Sequence, residues 1–296
     1  MGTVVSIDGA VPVEPDAPGA RVSALDRGLL HGDGIFEVLR TYSAAPFRLA
    51  AHLERLAEGC ASARISLPVH VEVLAAEVRA ALAAAGNTES HVRVVVTRGD
   101  GGAGPRIRGD EHARRIVVVS PLRLPSEEDY AQGVSVALVS AGHAPDATGL
   151  AGKKALSYLR QALALELARA RGADDALLVT DSGDVLEGAT SSVVLVRAGA
   201  LVSPPTSAGV LRGITWGAVA DLARGGGLRV ESRMLSPRDV YDADEVMLLS
   251  SVRGVMAAVA VDGVRIGPGV PGPVTVRLRA QLEVHAKTVA QQERVG

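Results

Sequence analysis

The chain has one cysteine, Cys60, in 296 residues. A single thiol excludes an internal disulfide framework and a cysteine-based zinc site, and it fits a reducing compartment. Cys60 continues the helical spacing of Leu53 and Leu56, so it reads as a small core-facing group rather than a nucleophile. Aromatic residues are also few, with 2 Phe, 4 Tyr and 1 Trp. Surfaces for stacking nucleic-acid bases are therefore scarce, and the core must be built mainly from Ala, Val and Leu. Neither sign of charge is in excess: 31 basic against 33 acidic residues leave a formal net charge of −2. No long-range field gathers polyanions or anionic lipid, and any anion site must be local. No apolar run approaches the roughly 20 residues that span a bilayer, and Met1-Gly2-Thr3-Val4-Val5 lacks the basic start of a signal peptide. The expectation is a cytoplasmic chain without nucleic-acid or membrane partners. The histidines, at 31, 52, 70, 91, 112, 143 and 285, show no paired ligand spacing, so no metal is expected.

What the chain does have is apolar material, 47% of it, enough for a core in one large or two ordinary domains. Short apolar stretches between turn signals, such as Val4-Val5-Ser6-Ile7 and Gly34-Ile35-Phe36-Glu37-Val38-Leu39-Arg40, predict strands over residues 3–48. A helix carrying Leu49, Leu53, Leu56 and Cys60 follows, then another over about 69–85 that stops at Gly86-Asn87. Valine-rich strands at 91–97 and 115–119 flank a glycine-rich segment, 98–105, which reads as a hairpin or mobile loop. Two prolines and an acidic cluster mark a linker at 122–130 between an N-terminal domain, 1–121, and a C-terminal domain, 131–296. In the latter a long helix is expected over about 155–171, then a hairpin turning at Asp181-Ser182-Gly183-Asp184. Strands at 193–196, 228–230 and 245–249 and helices at 214–224 and 274–286 complete an α+β chain without repeats.

Three segments carry the chemistry. Lys154, in Leu150-Ala151-Gly152-Lys153-Lys154-Ala155-Leu156, precedes a predicted helix whose Leu156, Leu159 and Leu163 offer an apolar face that can desolvate an amine. Glu187 ends a strand and is followed by Gly188 and small residues that let a flat ring approach the backbone. Gly213-Ile214-Thr215 opens a helix, whose free amides and Thr215 hydroxyl suit an anion; Ser250-Ser251, after an apolar strand, can add hydroxyls. An amine for a Schiff base, an anion to keep a pyridine nitrogen protonated, and donors for a phosphate are the needs of pyridoxal phosphate.

The order and spacing of these segments resemble the class IV aminotransferase family, the fold-type IV pyridoxal phosphate enzymes. The resemblance runs through Leu25-Asp26-Arg27-Gly28-Leu29-Leu30-His31-Gly32-Asp33-Gly34-Ile35-Phe36-Glu37, Ala51-His52-Leu53-Glu54-Arg55-Leu56, Asp174-Asp175-Ala176-Leu177-Leu178, Glu187-Gly188 and Ala243-Asp244-Glu245-Val246. It implies a two-domain α+β fold like that of D-amino acid aminotransferase, with the cofactor at the domain junction and a homodimer as the assembly. It assigns Lys154 rather than Lys153 as the Schiff-base residue, Glu187 as the pyridine partner and Leu211 as packing on the ring. Arg55, Ile214, Thr215, Ser250 and Ser251 become phosphate ligands, and Tyr158 contacts the ring hydroxyl or packs in the core. The substrate is an amine bearing a carboxylate, met by Phe36 and by Arg98, Arg106 or Arg108.

Within the family, Gly149-Leu150-Ala151-Gly152 and Thr97-Arg98-Gly99-Asp100-Gly101-Gly102-Ala103-Gly104 are most similar to lyases that convert 4-amino-4-deoxychorismate to 4-aminobenzoate and pyruvate. That is the first expectation for function. The alternative is a transaminase of branched-chain or D-amino acids, with which Glu37 is also at home. Ser192 and Trp216 depart from the asparagine and arginine common in the family. A third reading, a non-catalytic phosphate or cofactor binder, lacks support from its glycine loops: 98–104 has no Gly-Lys-Ser/Thr ending, and Gly225-Gly226-Gly227 precedes a strand.

Overall fold

The computed structural model describes residues 2–101, 104–109, 112–140 and 148–295, with 294 and 295 described as backbone only. Gly102, Ala103 and His143, named above, lie outside the described residues. The chain divides into two compact units.

The first unit comprises Met1–Arg123 with Lys153–Tyr158 and Ala286–Gly296. Its elements are β1 (Val4–Ile7), α1 (Arg27–His31), β2 (Gly34–Tyr42), β3 (Ala45–Pro46), α2 (Leu49–Ser62), α3 (Val71–Ala85), β4 (Ser90–Thr97) and β5 (Arg114–Pro121). Among the described residues the strands form one antiparallel sheet in the order β1-β5-β4-β2-β3. Period-two alternation sends Ile35, Leu39, Val92, Val94 and Val117 to one face, where Leu53 and Leu56 of α2 and Leu74 and Val78 of α3 complete the core. Cys60 is in this core, and burial pushes its thiol up to about 12. α3 stops at Gly86, whose φ of 60° suits a left-handed helix cap.

The segment Lys153–Tyr158 corrects the expectation of a helix from residue 155. It is irregular and meets the start of β2 through a single antiparallel bridge, Ala155 to Ile35, with Phe36 N donating to Lys154 O (2.9 Å) and Leu156 N to Gly34 O (2.9 Å). Gly34 permits the approach, because a Cβ there would lie 2.5 Å from Leu156 Cδ1 and 2.6 Å from Val96 O. Strand pairing thus overrides the helical pattern, and the lysine belongs to the first unit, not to a C-terminal domain.

The second unit comprises Leu124–Gly152 and Leu159–His285. It contains α4 (Glu127–Gln132), β6 (Val134–Ser140), α5 (Leu159–Ala170), β7 (Asp175–Val179), β8 (Val185–Gly188), β9 (Ser192–Arg197), β10 (Ala200–Ser203), α6 (Ile214–Gly225), β11 (Arg229–Ser232), α7 (Pro237–Tyr241), β12 (Glu245–Ser250), β13 (Gly254–Val261), β14 (Val264–Arg265) and the start of α8 (Pro273–Val295). The two units divide between Arg123 and Leu124, inside the expected linker, but its later part is corrected: Ser126 and Asp129 form a reciprocal capping box that starts α4, so the acidic cluster is a helix N-terminus. Among the described residues the sheet runs β11-β10-β9-β12-β13-β6-β7-β8, with β14 beside β13. The pairs β10/β11, β13/β6 and β6/β7 are parallel. Leu177, Leu195, Val246, Leu248 and Met256 lie at the centre of its core. No described helix is long and apolar enough to cross a membrane.

Glu245, 7% exposed, anchors α8. Its carboxylate accepts from Val274 N (2.9 Å), Thr275 N (2.7 Å) and Thr275 Oγ1 (2.6 Å), satisfying donors that a helix N-terminus otherwise leaves open. Glu245→Ala is expected to lower unfolding free energy by about 2–3 kcal/mol, read from urea denaturation. A loss within error would contradict this anchoring.

Candidate active site

The predicted residues fall into two groups, each within one unit. Phe36, Arg55, Lys154 and Tyr158, with Arg98, Arg106 and Arg108, belong to the first. Glu187, Leu211, Ile214, Thr215, Ser250 and Ser251 belong to the second.

In the first unit the bridge of Ala155 to Ile35 delivers Lys154 to the start of β2. Its Nζ stands 4.7 Å from the centroid of the Phe36 ring and 5.4 Å from that of Tyr158. The two rings meet edge to face, with centroids 5.3 Å apart at 84°. Tyr158 is therefore beside the amine. The leucine face expected to desolvate Lys154 is corrected: Leu159 and Leu163 on α5 are 71% and 54% exposed, and the aromatic pair takes the place beside the ammonium.

Sequence reading missed Arg93. On β4 it faces Val38 of β2, and its guanidinium carbon lies 4.0 Å from the Phe36 centroid. Burial lowers its pKa, opposed by Tyr158. The available signal was an arginine inside a valine strand, on the face opposite buried Val92 and Val94.

The other face of β2 carries a buried ionic cluster. Glu37 shares it with Ile35 and Leu39, and His52 and Arg55 reach it from α2. Arg55 Nε donates to Glu37 Oε1 (2.6 Å) and Arg55 Nη2 to Oε2 (2.7 Å), while His52 Nδ1 lies 2.8 Å from Oε2. Burial pushes the Glu37 carboxyl up, but His52 and Arg55 outweigh it and hold it at about 2. Burial also lowers the His52 pKa; Glu37 opposes this, and the charges of Arg55 and Lys154 add to it. His52 is thus neutral, with its Nδ1–H donating to ionised Glu37. Arg55, assigned to a phosphate by resemblance, directs two of its nitrogens at Glu37.

Arg98 is corrected from substrate clamp to strut. It is 5% exposed, and it donates from Nε to Asp33 Oδ2 (2.9 Å), from Nη1 to Arg64 O (2.8 Å) and from Nη2 to Ala63 O (2.8 Å). Each of its three nitrogens donates within the unit and the residue is buried, so its bonds serve the fold. Asp33 also accepts from Arg27 Nε (2.9 Å), and Arg27 donates to the carbonyls of Gly104 and Pro105. Arg106 and Arg108 are exposed.

In the second unit Glu187 Oε2 accepts from Leu211 N (3.1 Å), joining those two predicted residues. They line a cavity of about 340 Å³ with Ser192, Gly213 and Trp216. A Cβ on Gly213 would stand 2.5 Å from Ser192 Oγ, so glycine lets α6 begin tightly against β9. Gly213 caps α6 without a side-chain bond, and Ile214 and buried Thr215 open the helix. Ser250 ends β12 and its Oγ accepts from Arg253 N (3.3 Å). The buried Ser191 hydroxyl has no hydrogen-bond partner among the described residues. An uncapped helix start with adjoining hydroxyls suits a phosphate, and a half-buried carboxylate suits a protonated ring nitrogen.

No described group of His, Cys, Asp and Glu is arranged to hold a metal ion. The Glu37 and His52 pKa values are both lowered by folding, so their stabilisation is complete above the ordinary values of 6.5 for His52 and 4.5 for Glu37 and is lost as pH falls. The stability advantage of the native chain over Glu37→Gln is expected to shrink by about 2 kcal/mol between pH 5.5 and 3. Urea unfolding across that range checks it, and a pH-independent difference would contradict the cluster.

Comparison with known proteins gives this geometry a family. The profile of the Amino-transferase class IV family matches residues 34–261. The putative branched-chain-amino-acid aminotransferase of Methanocaldococcus jannaschii is 32% identical over 270 residues, covering 90% of this chain and 92% of the relative. The crystal structure of the Escherichia coli branched-chain amino acid aminotransferase superposes with a TM-score of 0.91 at 26% identity, covering 98% of this chain and 96% of that one. The branched-chain amino acid aminotransferase of T.th., solved with pyridoxamine 5'-phosphate, also gives 0.91 at 26% identity, with 98% and 95% covered. By motif, profile and fold, this chain belongs to the class IV aminotransferases.

Proposed function

We propose that the chain is a pyridoxal 5'-phosphate-dependent transaminase of branched-chain amino acids. The observation that carries this reading is the placement of Lys154 Nζ and the Arg93 guanidinium on one aromatic ring, Phe36, inside the first unit. An amine, a carboxylate-binding cation and an apolar surface are what an apolar amino acid needs. The likeness to branched-chain aminotransferases supports the transaminase over the lyase expected first from 97–104 and 149–152.

When bound, the cofactor supplies an electrophilic aldehyde and an electron-withdrawing ring. Lys154 Nζ would hold that aldehyde between turnovers, and would act as the base that moves the proton of the substrate Cα. Glu187 would hold the proton at the ring nitrogen, and Leu211 would pack on the ring. The amides of Ile214 and Thr215, the hydroxyls of Ser250 and Ser251, and Arg55 would hold the phosphate. Arg93 binds the carboxylate of the amino acid or oxo acid, and Phe36 and Tyr158 keep water from the reacting carbon. The resemblance also supports a homodimer, which sedimentation tests.

Three outcomes are expected. Lys154→Ala should retain the native circular dichroism but lose both the internal cofactor absorbance and transaminase turnover; a variant with full activity would overturn the role. Amino-group transfer from L-leucine, L-isoleucine or L-valine should depend strictly on an added 2-oxo acid, and Arg93→Ala should raise KM by about 10- to 100-fold with a smaller change in kcat. Release of pyruvate from aminodeoxychorismate without an acceptor would restore the lyase reading, and an unchanged KM would remove Arg93 from the site.

A further inference from the structure

The turn joining β12 to β13 holds Ser250 and Ser251, and an arginine outside the catalytic set fixes its shape. Arg253 reaches across the second unit's sheet to Asp175 at the start of β7, with Nη2 2.7 Å from Oδ2. The Asp175 side chain is 3% exposed and that of Arg253 24%, so the pair is drawn well out of water. The other Asp175 oxygen accepts from Ala176 N (2.8 Å), which fixes the carboxylate rotamer. On the backbone side, Tyr130 Oη of α4 donates to Arg253 O (2.7 Å). Tyr130 lies under Arg279 of α8, whose guanidinium carbon is 3.7 Å from the ring centroid and whose Nη2 meets both carboxylate oxygens of Glu127 at 2.8 Å. Gly254, with φ of 69°, then returns the chain into β13.

The turn is therefore clamped by its side chain on one element and by its carbonyl on another. Within it, Arg253 N donates to Ser250 Oγ (3.3 Å). A hydroxyl that accepts there has its own hydrogen directed elsewhere, available to an anion. We infer that Arg253 is a positioning residue, which holds the Ser250–Ser251 turn in the shape that donates to the cofactor phosphate. This rests on the assignment of those serines as phosphate ligands. Arg253 acts through the turn, with Nη2 of its guanidinium donating to Asp175.

The test compares binding of pyridoxal 5'-phosphate and of pyridoxal, which lacks the phosphate, to the apo form of the full chain, followed by absorbance. Arg253→Ala is expected to weaken pyridoxal phosphate at least tenfold and pyridoxal less than twofold, with Arg253→Lys intermediate. Tyr130→Phe, which removes only the hydroxyl clamp, should shift the same ratio in the same direction by a smaller factor, and it decides the matter if Arg253→Ala does not fold. Equal weakening of both ligands would mean a general scaffold role, and no weakening would mean no role; either overturns the inference. Ser250→Ala with Ser251→Ala separates the two claims. If the serine variant loses phosphate-dependent affinity and the Arg253 and Tyr130 variants do not, this inference alone fails. If the serine variant keeps full affinity, the phosphate assignment itself fails.

Discussion

The backbone pairing of residues 154–156 with the start of β2 decides where the reactive amine sits. Phe36 N to Lys154 O and Leu156 N to Gly34 O are ordinary ladder bonds, each worth only about 1 kcal/mol net. Their effect is geometric. They fix the direction in which the lysine side chain leaves the backbone, and Gly34 is the residue that lets the two strands close. With the segment one residue out of register, Lys154 would leave the opposite face, away from Phe36 and Arg93.

That strand separates two electrostatic environments. On one face of β2 the ring of Phe36 receives Lys154 and Arg93, groups with work to do on a substrate. On the other, Glu37 takes the charge of Arg55 and a hydrogen bond from neutral His52 inside an apolar core. Buried ions are tolerated only when paired and hydrogen-bonded, and Glu37 meets that condition with both oxygens. The cluster keeps a guanidinium oriented while its surroundings stay dry. The second unit solves a smaller version of the same problem at Asp175, where a buried carboxylate directs an arginine and with it a turn.

Much of this was legible in the sequence, for reasons that differ by element. The valine strands and the helices at α2, α3 and α6 follow from periodicity and from glycine stops such as Gly86. The class, cofactor type and residues to examine came from motif order, which survives where pairwise identity is low. The failures share a cause: they turn on tertiary partners. Residues 155–158 have helical spacing, and the bridge of Ala155 to Ile35 of the neighbouring strand holds them out of the helix, which starts at Leu159. Residues 126–129 look like a linker until Ser126 and Asp129 are seen capping each other. Arg98 looks like a free loop cation, yet its donors end on Asp33, Ala63 and Arg64. Arg93 was overlooked because a single charge in a strand gives no hint of the ring beneath it. The choice of lyase over transaminase leaned on two short loops, and likeness over the whole chain outweighs them.

The central claim is that Lys154 Nζ, rather than its neighbour Lys153, is the point of cofactor attachment. Reduction of the cofactor-loaded chain with borohydride, followed by proteolysis and tandem mass spectrometry, tests it directly. The expected result is a phosphopyridoxyl mass on Lys154 and none on Lys153. A label confined to Lys153 or to Lys287, or a loaded chain that takes up no label, would contradict it.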